Sequence, residues 1–310
     1  MSKQIIMDAC SLAQNEEYIW DLYYFRVNRQ RNNPFLTYKV KFKNYSYISD
    51  YAKNLLNSIK FFQLKEINDI QDYNGENTKI SCDKISLENE LIKDSWEQFF
   101  SSITNPCEEK FKGNVQGYLL TGKPTKENGK SITFFKVGNP IIKLSDKKAH
   151  FYHCIDDELD LVTDEFCRLY FTADFIIFNN NLYTFNLKFE KVFNLEKTMQ
   201  KLKETSIETI SATQSISNVE LFKGFAKEYK SARSFVTLKQ ERLENIRDKT
   251  KRSEIAKRLN ISLDEDNKFI IDTAEKASLF IRYLCYKIFE DYETRDIIEV
   301  SNASKLNINI

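Results

Sequence analysis

The residues best spaced for chemistry lie in "TADFIIFNNNLYTFNLKFEKVF", Thr172 to Phe193. Asp174 precedes an apolar run, three asparagines follow it, and a second run ends in Asn186-Leu187-Lys188. A Mg²⁺-dependent nuclease centre of the restriction-enzyme kind places an aspartate on one strand and an acid-x-Lys triplet on the next. Two carboxylates hold the metal, and the lysine orients water or stabilises developing charge. Asp174, Lys188 and Glu190 are thus the candidate catalytic set of a divergent enzyme of that kind. Two features oppose it. The second acid's position is Asn186, whose amide is a poor substitute for a charged ligand, and Glu190 falls past the apparent strand end. The competing reading is a core hairpin. Phe175 to Phe178 are consecutively apolar, as a strand covered on both faces would be. Asn179 to Asn181 tolerate the positive φ of a tight turn.

Other chemistry finds less support. His150 and His153 in "HFYHC" could share a metal on a helix, but Phe151 and Tyr152 favour a strand, which sends them to opposite faces. Neither a P-loop, a Gly-x-Ser-x-Gly elbow nor a His-Glu-x-x-His pair is present. No metal site and no cofactor is expected. The six cysteines form no regular framework, and no run of about 18 apolar residues occurs, so the chain reads as soluble and intracellular with reduced thiols.

Charge is more informative. The formal net charge is only +1, so any grip on a polyanion must be local. Residues 110–148 carry nine lysines against two acids, among them Lys123, Lys126 and Lys130 in a predicted hairpin. Residues 217–260 carry twelve Lys/Arg against six acids. Lys223, Lys227 and Lys230 form an i, i+4, i+7 row; Arg247, Lys249, Lys251, Arg252, Lys257 and Arg258 crowd a predicted helix junction. Side-chain cations beside a helix start can meet phosphates, and these twelve residues are the candidate DNA-binding set. The plainer alternative is a solvated basic face.

The positioning elements follow from periodicity. A strand is predicted at 36–42, helices at 48–62 and 86–103 (the latter capped by Ser86), and a hairpin from "NVQGYLLTGKP" and "KSITFFKVG". Beyond about Phe189 the pattern turns helical. Helices are expected from Asn194 and over 217–236, the second with a Ser217/Glu220 capping box. The stretch 239–261 must break near "DKTKRS", with Thr250 or Ser253 capping the next helix, because Leu243 and Ile246 point away from Ile255 and Leu259. "NKFIIDT" reads as a strand, and 274–292 as one helix fronted by Asp272 and Glu275. The expected class is α+β: a mixed strand/helix part with a central antiparallel sheet at 1–190, and a mainly helical part with one short strand at 191–310.

The run "ADFIIFNNNLYTFNLKFEKVF", followed by a long helical region, "DEDNKFII" and "TRDIIEVSNASK", resembles the KwaB-like proteins of the bacterial Kiwa anti-phage defence system over roughly 130–305. The resemblance implies a soluble, non-catalytic DNA-binding effector that blocks phage DNA replication or late expression. It implies a membrane-embedded defence partner, a homodimer, and a cytoplasmic protein recruited to the inner membrane by that partner. It carries over no catalytic residue. A solitary accessory protein, or an adaptor that docks on a membrane protein and touches no nucleic acid, are the further alternatives.

Overall fold

A computed structural model describes residues 3–15, 17–74, 81–108, 115–126, 129–142, 152–155, 158–161, 166–229, 232–290 and 297–299. The chain divides into two compact units, Met1–Asp72 with Thr78–Phe193, and Tyr73–Asn77 with Asn194–Ile310. The class is α+β.

The first unit begins with α1 (Gln4–Asn15), β1 (Tyr18–Val27), β2 (Phe35–Val40) and α2 (Tyr45–Ser58), which runs into a π-helical turn at Ile59–Gln63. Then come β3 (Asp69–Asp72), β4 (Ser81–Ser86), α3 (Lys93–Thr104), β5 (Gly117–Pro124) and β6 (Ile132–Val137). Short strands β7 (Ile141–Ile142), β8 (Tyr152–Ile155), β9 (Glu158–Leu161) and β10 (Phe166–Cys167) precede β11 (Phe175–Phe178), β12 (Asn181–Thr184) and α4 (Lys188–Val192). Eight strands form one sheet in the order β2-β1-β5-β6-β11-β12-β4-β3. Every neighbouring pair is antiparallel except β3 with β4.

Strand alternation gives the sheet two apolar faces. Trp20, Leu22, Leu120, Phe134, Ile176 and Phe178 share a core with Cys10 of α1 and Tyr51 and Leu55 of α2. On the other face Phe25, Phe135 and Phe175 meet Phe99 of α3, Phe189 of α4 and Phe193. Phe135 and Phe175 stack at 4.3 Å. The β11–β12 connection is a two-residue turn, with Asn179 and Asn180 at φ 51° and 58°, the conformation asparagine tolerates best after glycine. Strand β5 carries Gly122 opposite Trp20, whose ring lies where a Cβ would stand.

The second unit contains α5 (Leu195–Ser211), α6 (Val219–Glu228), a 3₁₀ turn (Ala232–Thr237), α7 (Gln240–Arg247), α8 (Lys249–Leu259) and α9 (Ala274–Leu284). Strands β13 (Ile288–Glu290) and β14 (Ile297–Glu299) pair with each other. Phe222, Phe235, Phe269 and Phe280 are buried at its centre.

Several sequence expectations are corrected. Ser86 ends β4, so no helix starts there; the helix begins at Lys93. The 217–236 helix stops at Glu228, and its capping box does not form: Asn218 is the N-cap residue, and its side chain instead bonds both the carbonyl and the N–H of Ile271. Phe269 makes two isolated bridges rather than a strand. The helix expected over 274–292 ends at Leu284, because Tyr286 turns left-handed at φ 55° and the Lys287 N–H closes onto the Arg282 carbonyl. Thr273 caps it, while Asp272 pairs with Lys276. The break between α7 and α8 falls where the apolar pattern required, with Asp248 as the cap rather than Thr250 or Ser253.

Candidate functional site

Strand β11 begins where Asp174 continues the β6 ladder with its side chain. The Asp174 N–H donates to the Phe135 carbonyl at 2.7 Å. Its Oδ2 then accepts the Val137 N–H at 2.7 Å. A main-chain carbonyl would ordinarily fill that role, but the Ala173 carbonyl accepts instead from Gln63 Nε2 at 2.6 Å. Asp174 is 2% exposed. A carboxylate so buried needs cations and donors, and Oδ1 has both: Asn186 Nδ2 at 2.9 Å, Lys188 Nζ at 3.0 Å and Lys136 Nζ at 3.7 Å.

Asp174 and Lys188 therefore do meet, as the nuclease spacing predicts. Asn186 sits in the second acid's place but acts as a donor to Asp174, which a carboxylate could not be, and its Oδ1 accepts the Lys188 N–H at 3.0 Å. Glu190 is buried on α4. Among the described residues no three His, Cys, Asp or Glu side chains group where they could hold a metal ion. His150 lies outside the described residues, and His153 falls in strand β8.

The sequence reading missed Lys136, Arg168 and Tyr170. Lys136 follows Phe135, the residue facing Phe175, so the β6–β11 register brings it beside Asp174. Its Nζ donates to Thr172 Oγ1 at 2.7 Å, and burial pulls its pKa below the usual lysine value, with Asp174 opposing that shift. Lys136 and Arg168 also lie over the Tyr170 ring, at 5.5 and 4.7 Å from its centre.

The basic candidates are placed differently. Lys123, Lys126 and Lys130 are exposed around the β5–β6 connection. Lys223 pairs with Glu208 at 2.9 Å, Lys227 is exposed on α6, and Lys230 lies outside the described residues. Arg247, Lys249, Lys251 and Lys257 are exposed along α7 and α8. Asp248 occupies the start of α8, accepting the Thr250 N–H at 2.9 Å, so a phosphate would compete with it there. Arg258 pairs with Glu254 at 2.8 Å. Arg252 corrects the DNA-binding set. It is 3% exposed, and its guanidinium donates to the carbonyls of Ile246, Arg247 and Asn267 at 2.6, 3.1 and 3.2 Å. It closes the end of α7 and presents no charge to a ligand.

Fold and site define an α+β protein with a buried carboxylate, Asp174, held by lysines, and exposed cations on α7 and α8. The model of the family described as Kiwa protein KwaB-like matches residues 112–289, more than half of the chain, and the chain belongs to that family. It is a component of the Kiwa anti-phage defence system. No curated protein and no solved structure matches it. Among the described residues no helix is long and apolar enough to cross a membrane.

Proposed function

We propose that this chain is the DNA-binding effector of its Kiwa system, holding the phosphate backbone and blocking phage DNA replication or late expression beside a membrane-embedded partner. The observation that carries the reading is the exposure of four cations on α7 and α8, Arg247, Lys249, Lys251 and Lys257, whose neighbouring acids are engaged, Asp248 as a helix cap and Glu254 with Arg258. Lys123, Lys126 and Lys130 add a second exposed basic edge. Backbone contacts of this kind are insensitive to base sequence and sensitive to salt. In this reading the protein works in the cytoplasm as a homodimer and reaches the inner membrane through its partner. The triple variant Lys249→Glu, Lys251→Glu, Lys257→Glu tests it. Duplex binding at low salt is expected to fall on the order of 100-fold with the fold intact; unchanged binding removes this surface from the proposal.

One observation favours a second reading, a divergent Mg²⁺ nuclease: Asp174 and Lys188 converge at 3.0 Å. The donor role of Asn186 weighs against it. Plasmid incubated with the protein and Mg²⁺ or Mn²⁺ separates the two. Cleavage abolished by Asp174→Asn in a folded protein would establish the enzyme.

A further inference from the structure

The loop between β10 and β11 exposes two adjacent aromatics, Tyr170 at 39% and Phe171 at 46%. Exposed rings on loops are ordinarily mobile, but this loop is pinned. The Tyr170 N–H donates to the Tyr118 hydroxyl at 2.6 Å, and the Tyr51 hydroxyl donates to the Tyr170 carbonyl at 2.8 Å. Gln63 bonds both main-chain groups of Ala173, at 2.6 and 3.1 Å. The Arg168 N–H donates to the Pro140 carbonyl at 2.8 Å. Side chains from α2, the π turn and β5 are thus committed to holding two rings in place at the surface.

The same place has a surplus of positive charge. Lys136 and Lys188 share one carboxylate, Asp174, and Arg168 lies over the Tyr170 ring. Asp174 is saturated from within, whereas the Lys188 side chain is 48% exposed and keeps ammonium donors for solvent. A ligand that fits must offer both flat π faces and negative charge. In a duplex the base faces are covered by their neighbours; in a single strand they are open, one beside each phosphate.

Resting on the nucleic-acid reading above, we infer that Tyr170 and Phe171, with Arg168 and Lys188, form a stacking site for single-stranded nucleic acid, distinct from the exposed cations of α7 and α8. A base displaces the Arg168 guanidinium from the Tyr170 ring, and Arg168 and Lys188 then take adjacent phosphates. Lys136 holds Thr172 and Asp174 and positions the loop rather than meeting the strand.

Fluorescence anisotropy of the full chain with labelled oligo(dT) of about 20 nucleotides, and with a duplex of equal length, tests this. Tyr170→Leu keeps apolar bulk and removes the π face. It is expected to weaken oligo(dT) binding about tenfold and to leave duplex binding within about twofold. Phe171→Ala reads the same contact should Tyr170→Leu not fold. Equal losses on both nucleic acids, or no loss on either, overturn the inference. Wild-type protein that binds duplex but not oligo(dT) overturns it and leaves the proposed function standing; binding to neither overturns both. Polyglutamate of matched charge, bound as tightly and with the same Tyr170 dependence, would show a general anion or acidic-protein site and also overturns it.

Discussion

Asp174 and Arg252 are both charged and both buried, yet the protein uses them in opposite ways. Asp174 is held by a mixture of charged and neutral donors, and one of them, Lys188, reaches out to solvent. The buried charge is thereby linked to a surface. Arg252 is bonded to neutral carbonyls, two from its own helical corner and one, Asn267, from a distant turn. Its positive charge sits near the negative end of α7, where a cation is favoured. The first arrangement can shape a ligand site; the second fixes an angle between two helices, and its exposed neighbours carry whatever binding occurs. A cation count taken from sequence treats Arg252 like its exposed neighbours.

The largest effect is expected at Asp174. Asp174→Ala leaves the Val137 N–H without its acceptor and Lys136 without its counter-ion, and should cost about 4 kcal/mol of stability by denaturant unfolding. A loss under about 1 kcal/mol would mean the ladder is closed by something else. Arg252→Ala strips three carbonyls of their donor and should cost about 3 kcal/mol. Duplex affinity should survive in whatever fraction stays folded, and a purely electrostatic loss with full stability would return Arg252 to the binding surface. Asn186→Asp replaces a donor by a second acid against Asp174 and should cost about 2 kcal/mol near pH 8. The two acids cannot both ionise easily, so protonation at lower pH should restore much of that stability.

The smallest effect at neutral pH, because it emerges only above pH 9, belongs to two buried thiols, one in each unit. Burial pushes Cys10 and Cys285 from 9.0 to about 12, with Lys60 and Lys287 opposing. Above pH 9 the unfolded chain releases the thiol proton while the native state keeps it, so the native state binds more protons and stability falls as pH rises. Each thiol should remove about 1.4 kcal/mol per pH unit between its unfolded and native values. Cys10→Ala and Cys285→Ala should each flatten the alkaline limb of the unfolding curve.

The hairpin itself was legible in the sequence, because the apolar run, the asparagine turn and the second run are local signals. Its role as a sheet centre followed from Phe175 to Phe178 having no polar alternation. The Asp174 cluster was half legible. Asp174 and Lys188 lie in one motif, but Lys136 comes from β6 and becomes a neighbour only through the β6–β11 register, and Arg168 comes from the loop after β10. Arg252 stands at helical spacing with Ile255 and Leu259, so its side of α8 was legible and was overlooked; the Asn267 carbonyl that helps hold it comes from a distant turn and was not legible. The long C-terminal helix failed for a similar reason. Its apolar periodicity runs on past Leu284, while the left-handed turn at Tyr286 and the β13–β14 pairing interrupt it.

The central claim, backbone binding by the exposed cations of α7 and α8, is tested most directly by the salt dependence of duplex affinity for the wild type and the Lys249→Glu, Lys251→Glu, Lys257→Glu variant. The wild type should show log affinity falling linearly with log salt, with a slope of about −4 if four cations each meet one phosphate, and the variant should lose most of that slope. A wild-type slope near zero, or identical slopes for the two proteins, would contradict the account.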